Sequence, residues 1–407
     1  MADTCRHGED FVRAVVSHPG AVSSLWEAVS RHATIPDALA EYFSCLAQMS
    51  RFASDLAELV FTDPARPDVS VVLQSVAGKH IKARRAAVAY LFQQVRTDHE
   101  GPARMLGTTQ AMAALRAALA ADGEHPAFAS QIYLVLGHII GGGYLDEATW
   151  MASGAVEDLA RHITYVMSMS AGNKENNANK EKKKSNNSTR LGGGGGGGGG
   201  GEAGPSLGGD AGAGQLTEEL ILVVAWTFGQ IARRGVAAAD LLAEIGVVGV
   251  LDGLLRRLHD GLAADGGHGH GHGRGGPGSS LVVSSSSPSA AAPGDGDGGD
   301  RSSYEVAKER VTEALMTLID VTSKTGALEG LVAVAAPSGE ILLAALRRLA
   351  QATETSVASR RSFVSSGGLM RLQRLLPVLD EDGCALAQTI NQQYPEDVVA
   401  YYQTGGT

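Results

Sequence analysis

Apolar positions along most of this chain recur with the period of a helix. The stretches "EDLARHITYVM" (157–167), "EELILVVAWTFGQIARR" (218–234), "GVLDGLLRRLHD" (249–260) and "GEILLAALRRLAQ" (339–351) each place apolar residues at i, i+3, i+4 and i+7. No segment alternates convincingly with the period of a strand. The nearest, "DVSVVLQSV" (68–76), continues equally well as a helix. The pattern predicts an all-α fold.

Two stretches break the pattern. Residues 171–215 contain "NKENNANKEKKKSNN" and ten consecutive glycines, Gly192 to Gly201. Residues 261–302 contain "GGHGHGHGRGGPGSS" and "SSSSPSAAAPGDGDGGD". Such compositions bury too little apolar surface to offset the entropy of ordering, so both are predicted to be disordered inserts. They divide the chain into helical segments 1–170, 216–260 and 303–402, the last including the C-terminal tail.

A repeat runs beneath the raggedness. Gly137 and Gly154 stand seventeen residues apart, as do Gly229 and Gly246. Stepping back from Gly154 reaches Thr109, Pro64 and Gly20 at intervals of 45, 45 and 44, and the positions seventeen before those marks are Phe92, Ala47 and Asp3. Gly154 to Gly246 is 92 residues, or 47 without the 45-residue first insert. Gly246 to Gly367 is 121, or 79 without the 42-residue second insert, room for two shorter units. Helical periods of about 40–47 residues mark the armadillo/HEAT class of α-solenoid, in which each unit buries its apolar face against its neighbours. Six marked units and one degenerate unit around Val311 to Val334 are expected. The marking glycine is expected to permit the reversal between first and second helices. The inserts are expected between units, where added loop length costs little.

Composition agrees with tightly packed helices: 44% of residues are hydrophobic but only 5% aromatic. The three cysteines, Cys5, Cys45 and Cys384, are too scattered for a disulfide framework or a zinc site. The N-terminus has no apolar signal region and the longest apolar run, "LILVVAWTF", is only nine residues, so a cytosolic chain without membrane attachment is expected. A net charge of −10 argues against nucleic acid as a partner.

The chemistry-bearing positions suggest binding. Directly after the repeat positions Ala47, Phe92, Gly137, Gly229 and Ala350 stand Gln48, Gln93, His138, Gln230 and Gln351. On the third helices of an armadillo array these would line the concave face. A carboxamide there offers a donor and an acceptor to the backbone of an extended partner. Trp226 lies four residues before Gln230, whereas the other units have Ser44, Ala89, Leu134 and Arg347 at that place, so stacked tryptophans are lacking. Arginine pairs recur at 84–85, 233–234, 256–257, 347–348 and 360–361; adjacent helical residues do not share a face, and a solvated surface with occasional ion pairs is expected. "HGHGHGR" (268–274) sits in a glycine loop without supporting groups. No nucleophile elbow, phosphate loop, dinucleotide fingerprint or carboxylate pair is present, so no enzyme activity, cofactor, metal or small-molecule substrate is expected.

The C-terminus carries a family likeness. "ASRRSFVSSGGLMRLQRL" (358–375) and "INQQYPEDVVAYY" (390–402) resemble the closing segment of the sperm-associated antigen 6 family, armadillo proteins of the ciliary central apparatus. Arg360, Arg361, Phe363, Val364, Ser366, Gly367, Gly368 and Leu369 match the first part; Ile390, Asn391, Tyr394, Pro395, Glu396, Val399, Tyr401 and Tyr402 match the second. Upstream, "VVAWTFGQIARR", "LAQMSRFASDLAELV" and "GALEGLV" are similar to family segments in the same order. The two inserts are foreign to the family pattern, and the chain starts partway through a unit, at Asp3. The resemblance implies a non-enzymatic scaffold on the axoneme of a cilium or flagellum, with central-apparatus proteins or a central microtubule as partners. It adds Arg360, Arg361 and Tyr394 to the candidate contacts. The alternative is a cytosolic armadillo adaptor that reads a linear peptide.

Overall fold

The computed structural model describes residues 9–52, 68–96, 100–170, 216–265, 303–333 and 339–403. These residues form an all-α solenoid; among them no strand occurs. The helices are α1 (Glu9–Ser17), α2 (Ala21–Arg31), α3 (Pro36–Phe52), α4 (Val69–Ala77), α5 (Ile81–Arg96), α6 (Glu100–Leu106), α7 (Thr109–Asp122), α8 (Pro126–Gly141), α9 (Glu147–Ala152), α10 (155–170) and α11 (Glu218–Ala232). They continue with α12 (Val236–Glu244), α13 (Val247–Asp265), α14 (Ser303–Val321), α15 (Thr325–Ala333), α16 (Gly339–Thr355), α17 (Val357–Ser365), α18 (Gly368–Leu375), α19 (Glu381–Asn391) and α20 (Glu396–Gln403), with a 3-10 turn at Leu376–Val378.

Their packing follows a three-helix unit. The long third helices α3, α5, α8, α11, α14, α16 and α19 each pack on the next, giving one continuous row. A second row of second helices runs alongside, with α4 on α7, α13 on α15, and α15 on α18. The short helices α9, α12 and α17 are the first helices of their units. Starts are set locally: Asp68, Thr108, Asp146, Thr217, Ser356 and Asp380 each accept a hydrogen bond from a backbone N–H two or three residues on. That satisfies a donor the helix cannot. Large side chains such as Trp26, Tyr90, Tyr133, Trp150, Phe228 and Phe363 are fully buried, in one core that runs the length of the array.

The register glycines share one geometry. Gly20, Gly154, Gly246 and Gly367 have φ of 78°, 71°, 85° and 78°, each immediately before a second helix. A side chain is strained in that left-handed region, so the sharp reversal selects glycine. In the third marked unit the equivalent reversal is made instead by Thr108, in extended backbone, and Thr109 is the first helical residue. Pro64 and Asp3 lie outside the described residues.

Three expectations need correction. Both inserts fall within units rather than between them. The chain leaves after the second helices α10 and α13 and returns as the third helices α11 and α14. The interval between marks measures insert length but cannot tell which joint holds it. The second insert also begins later than expected, because α13 continues to Asp265; the rest, with all of 171–215, lies outside the described residues. Finally, the arginine pairs are not merely solvated surface. Arg84 is buried and donates to Asp122 Oδ2 at 3.0 Å and to Gly78 O at 2.8 Å, while Arg85 reaches Asp122 Oδ1 at 3.3 Å. Arg257 donates to Met167 O (2.5 Å), Arg348 to Thr322 O (3.0 Å) and Arg360 to Thr353 O (2.8 Å). With Arg233, which pairs with Glu313 on α14 at 2.5 Å, at least one member of each of the five pairs ties helix ends or neighbouring units together, a use for which the planar guanidinium fork suits arginine.

The degenerate unit lacks a separate first helix. Only Thr322, Ser323 and Lys324 separate α14 from α15. Asp240 on α12 takes over the anchoring. It accepts from Thr322 Oγ1 (2.8 Å), Ser323 N (2.6 Å) and Ser323 Oγ (2.5 Å), beside a Lys324–Glu244 ion pair at 2.5 Å. Val334, at the end of the expected span, lies outside the described residues.

Candidate partner-binding face

The exposed side of the third-helix row holds the polar column. Gln48 on α3, Gln93 on α5, His138 on α8 and Gln230 on α11 are half-buried; Gln351 on α16 is exposed. Because the helices stack side by side, residues one unit apart face the same way. The structure brings His138, Trp226 and Gln230 into direct contact, and leaves Gln48, Gln93 and Gln351 as single members of their own helices.

The contact is made possible by two glycines. A Cβ on Gly137 would lie 2.6 Å from Trp226 Cζ3, and one on Gly141 would lie 2.7 Å from Gln230 Cβ. Their absence lets α8 and α11 approach until the His138 and Trp226 ring centroids are 4.7 Å apart. The Gln230 carboxamide oxygen, turned to face both donors, accepts from Trp226 Nε1 at 3.3 Å and Arg233 Nη1 at 3.0 Å. Arg233 also reaches Glu313 Oε1 on α14 at 2.5 Å, and Arg310 holds the other Glu313 oxygen at 2.8 Å. Tryptophan, imidazole, amide and a charged triad thus form one band across three helices, half-exposed and rich in donors. Gln351 is engaged differently: its carbonyl accepts from Arg348 Nη1 at 2.8 Å.

The resemblance-derived candidates sit in the last units. Tyr394 stacks on Phe363 with centroids 6.5 Å apart, and its hydroxyl donates to Arg360 O at 3.3 Å. Burial pushes this phenol up to about 12. Arg360 donates its own side chain to Thr353 O and Glu354 O. Both residues are used within the chain, Tyr394 joining the tail to α17 and the Arg360 side chain joining α17 to the end of α16, whereas Arg361 is exposed.

Several interacting residues gave no signal in the sequence column. The amide that crosses between units in the N-terminal half is Gln94, next to the expected Gln93: it donates to Ser50 Oγ at 2.5 Å in a buried setting. Only a one-residue helical rotation separates the two, less than a periodicity argument resolves. The Arg233–Glu313 pair joins residues 80 apart, across the second insert. Nearby, Thr227 Oγ1 donates to Tyr133 O at 3.0 Å; Tyr133 donates to Leu159 O at 2.6 Å, and its hydroxyl lies 3.2 Å from His162 Nδ1. Burial raises the Tyr133 phenol well above its ordinary range, and burial lowers the His162 imidazole.

Among the described residues no group of three His, Cys, Asp or Glu is placed to hold a metal, and no helix is long and apolar enough to cross a membrane.

No family model and no curated protein matches this chain. Among solved structures it is similar to an engineered protein at 14% identity and a TM-score of 0.36, over 100% of this chain and 86% of that one. It is similar to a second engineered protein at 12% identity and a TM-score of 0.27, over 91% and 95%. A third likeness, at 13% identity and a TM-score of 0.45, is to a chain from a study of a phosphorylation switch controlling the interaction between cadherin and beta-catenin. It covers 97% of this chain and 63% of that one.

Proposed function

We propose that this chain is a non-enzymatic armadillo-type scaffold that holds partner proteins of the axonemal central apparatus and so supports ciliary or flagellar motility. The observation that carries the scaffold reading is the third-helix row. Where α8 and α11 meet it offers a half-buried strip on which His138, Trp226 and Gln230, with the exposed Arg233 beside them, present aromatic surface and hydrogen-bonding groups together. A stacked array supplies such a face without a closed pocket, which suits long protein partners better than small molecules.

The ciliary part is supported by the resemblance of residues 358–375 and 390–402 to the sperm-associated antigen 6 family. Those residues build the final units: Phe363, Leu369 and Ile390 are fully buried, and Gly367 makes the reversal before α18. With a net charge of −10, attachment through partner proteins is electrostatically easier than direct docking on an acidic microtubule lattice.

Localisation of tagged protein in a ciliated cell tests the assignment. Signal along the axoneme, with cross-links to central-apparatus proteins in isolated axonemes, is the expected result. A uniform cytoplasmic or nuclear signal overturns the ciliary reading and favours a peptide-reading adaptor. Binding of any partner that survives combined W226A and Q230A substitution undiminished overturns the face assignment.

A further inference from the structure

We propose that the strip where His138, Trp226 and Gln230 meet docks an uncharged, proline-rich extended segment of a partner protein. This rests on the reading of the third-helix row as the partner-binding face and names the chemistry of what that face takes. The observation that carries it is the direction of the hydrogen bonds. The Gln230 carboxamide oxygen accepts from Trp226 Nε1 at 3.3 Å and from Arg233 Nη1 at 3.0 Å. Arg233 is itself held by Glu313 Oε1 at 2.5 Å, and Arg310 holds the other Glu313 oxygen at 2.8 Å. The amide is thereby fixed with its oxygen inward, and its two N–H bonds are the hydrogen-bonding capacity left to a partner. The Gln230 and Glu313 acceptors are engaged, and a pair of donors stands beside the half-buried Trp226 ring.

That polarity selects the occupant. An ordinary extended segment brings one N–H donor per residue, and a donor pressed against this strip loses water without gaining a partner. Proline has no N–H, so a proline run presents carbonyl acceptors alone. Its polyproline-type helix is pre-set, which keeps the entropy cost of docking small, and its rings pack on an aromatic face. Charge agrees. Arg233 and Arg310 are balanced by Glu313 and by Glu309, exposed one turn before it on α14, so neither an acidic nor a basic segment is preferred.

The site is also confined. At the place of Trp226 the other units have Ser44, Ala89, Leu134 and Arg347, so the aromatic anchor is single. Packed helices lie about 8–10 Å apart, so a polyproline-type segment rising about 3.1 Å per residue crosses from α8 to α14 in about six residues. A short proline motif is enough to fill it.

The test is fluorescence anisotropy with the full chain and fluorescein-labelled decaproline, beside a labelled glycine–serine decapeptide and a labelled decaglutamate. Saturable binding of decaproline is expected, at least about tenfold tighter than that of the glycine–serine peptide. Trp226→Ala should weaken it about tenfold. Gln230→Glu is the sharper variant. Its carboxylate keeps both inward bonds, from Trp226 Nε1 and Arg233 Nη1, but has no N–H to offer. Decaproline should again bind about tenfold more weakly, with helicity and melting retained by circular dichroism. Location is read from the indole signals of the full chain in nuclear magnetic resonance: Trp226 should shift on binding, while the fully buried Trp26 and Trp150 stay in place. Absence of saturable decaproline binding overturns the proposal. So does binding that Gln230→Glu leaves undiminished, that moves Trp226 no more than the other two, or that decaglutamate or the glycine–serine peptide equals. Each of these outcomes leaves the scaffold reading standing, because cross-links in isolated axonemes test that separately.

Discussion

Replacing Gly137 by alanine sets two effects of opposite sign against each other. In a helix interior, alanine is favoured over glycine by about 1 kcal/mol. Against this, the added methyl would stand 2.6 Å from Trp226 Cζ3, 3.2 Å from Cε3 and 3.1 Å from Thr227 Oγ1. Neither neighbour yields easily. Thr227 is buried and bonded to Tyr133 O at 3.0 Å, and the Trp226 ring is backed by His138 and tied to Gln230 through Nε1. Overpacking costs about 1–3 kcal/mol, and three contacts of 3.2 Å or less against held neighbours put this site in the upper part of that range, about 2–3, so after the helix gain G137A should lose about 1–2 kcal/mol. Urea unfolding followed by circular dichroism reads the loss as a lower midpoint. Tryptophan emission reads the cause, since Trp26 and Trp150 are fully buried whereas Trp226 is half-exposed and should shift alone. In a Trp226→Leu background the clash with the ring is gone, and the same G137A substitution should become neutral or mildly stabilising. The resulting coupling between the two sites should be about 1–2 kcal/mol. A G137A protein as stable as the parent with Trp226 present would refute the claim that this glycine permits the close approach of α8 and α11.

Other outcomes follow from the joints between units. Asp122→Ala should cost about 3–5 kcal/mol in urea unfolding, because it leaves the buried Arg84 guanidinium uncompensated, and replacing both Arg84 and Asp122 by apolar residues should recover most of that. Burial holds the His162 imidazole below its ordinary range, so folding favours the neutral ring. That contribution is complete above the unfolded value of about 6.5 and is lost as pH falls through it, so the melting temperature should drop between about pH 7 and 5 and do so less in His162→Gln. Tyr394 should ionise near 12 in an ultraviolet absorbance titration. Because the folded pKa of this acid is raised, its contribution is present below the ordinary phenol value of about 10 and declines as pH rises through it. Tyr394→Phe should remove that dependence at a cost of about 0.5–1.5 kcal/mol for the lost bond to Arg360 O.

The helices and their repeat were legible because both depend on local chemistry. Apolar spacing defines a buried stripe whatever it packs against, and a left-handed reversal admits little besides glycine, so Gly20, Gly154, Gly246 and Gly367 could be aligned across two long interruptions. Of the column Gln48, Gln93, His138, Gln230 and Gln351, the structure brings only His138 and Gln230 together, through Trp226. Other features were decided by partners distant in the chain. Gln94 rather than Gln93 crosses to the neighbouring unit because of how α3 seats against α5. Arg84 is buried because Asp122, 38 residues on, comes to meet it, while the similar residue Arg361 remains in solvent. The inserts lie between second and third helices because both ends of each loop emerge at that joint. Periodicity thus determined which residues are helical and which side of each helix is apolar. Which polar groups pair, and how closely two helices approach, was decided only when the rows stacked, because those energies depend on distances between atoms far apart in the chain.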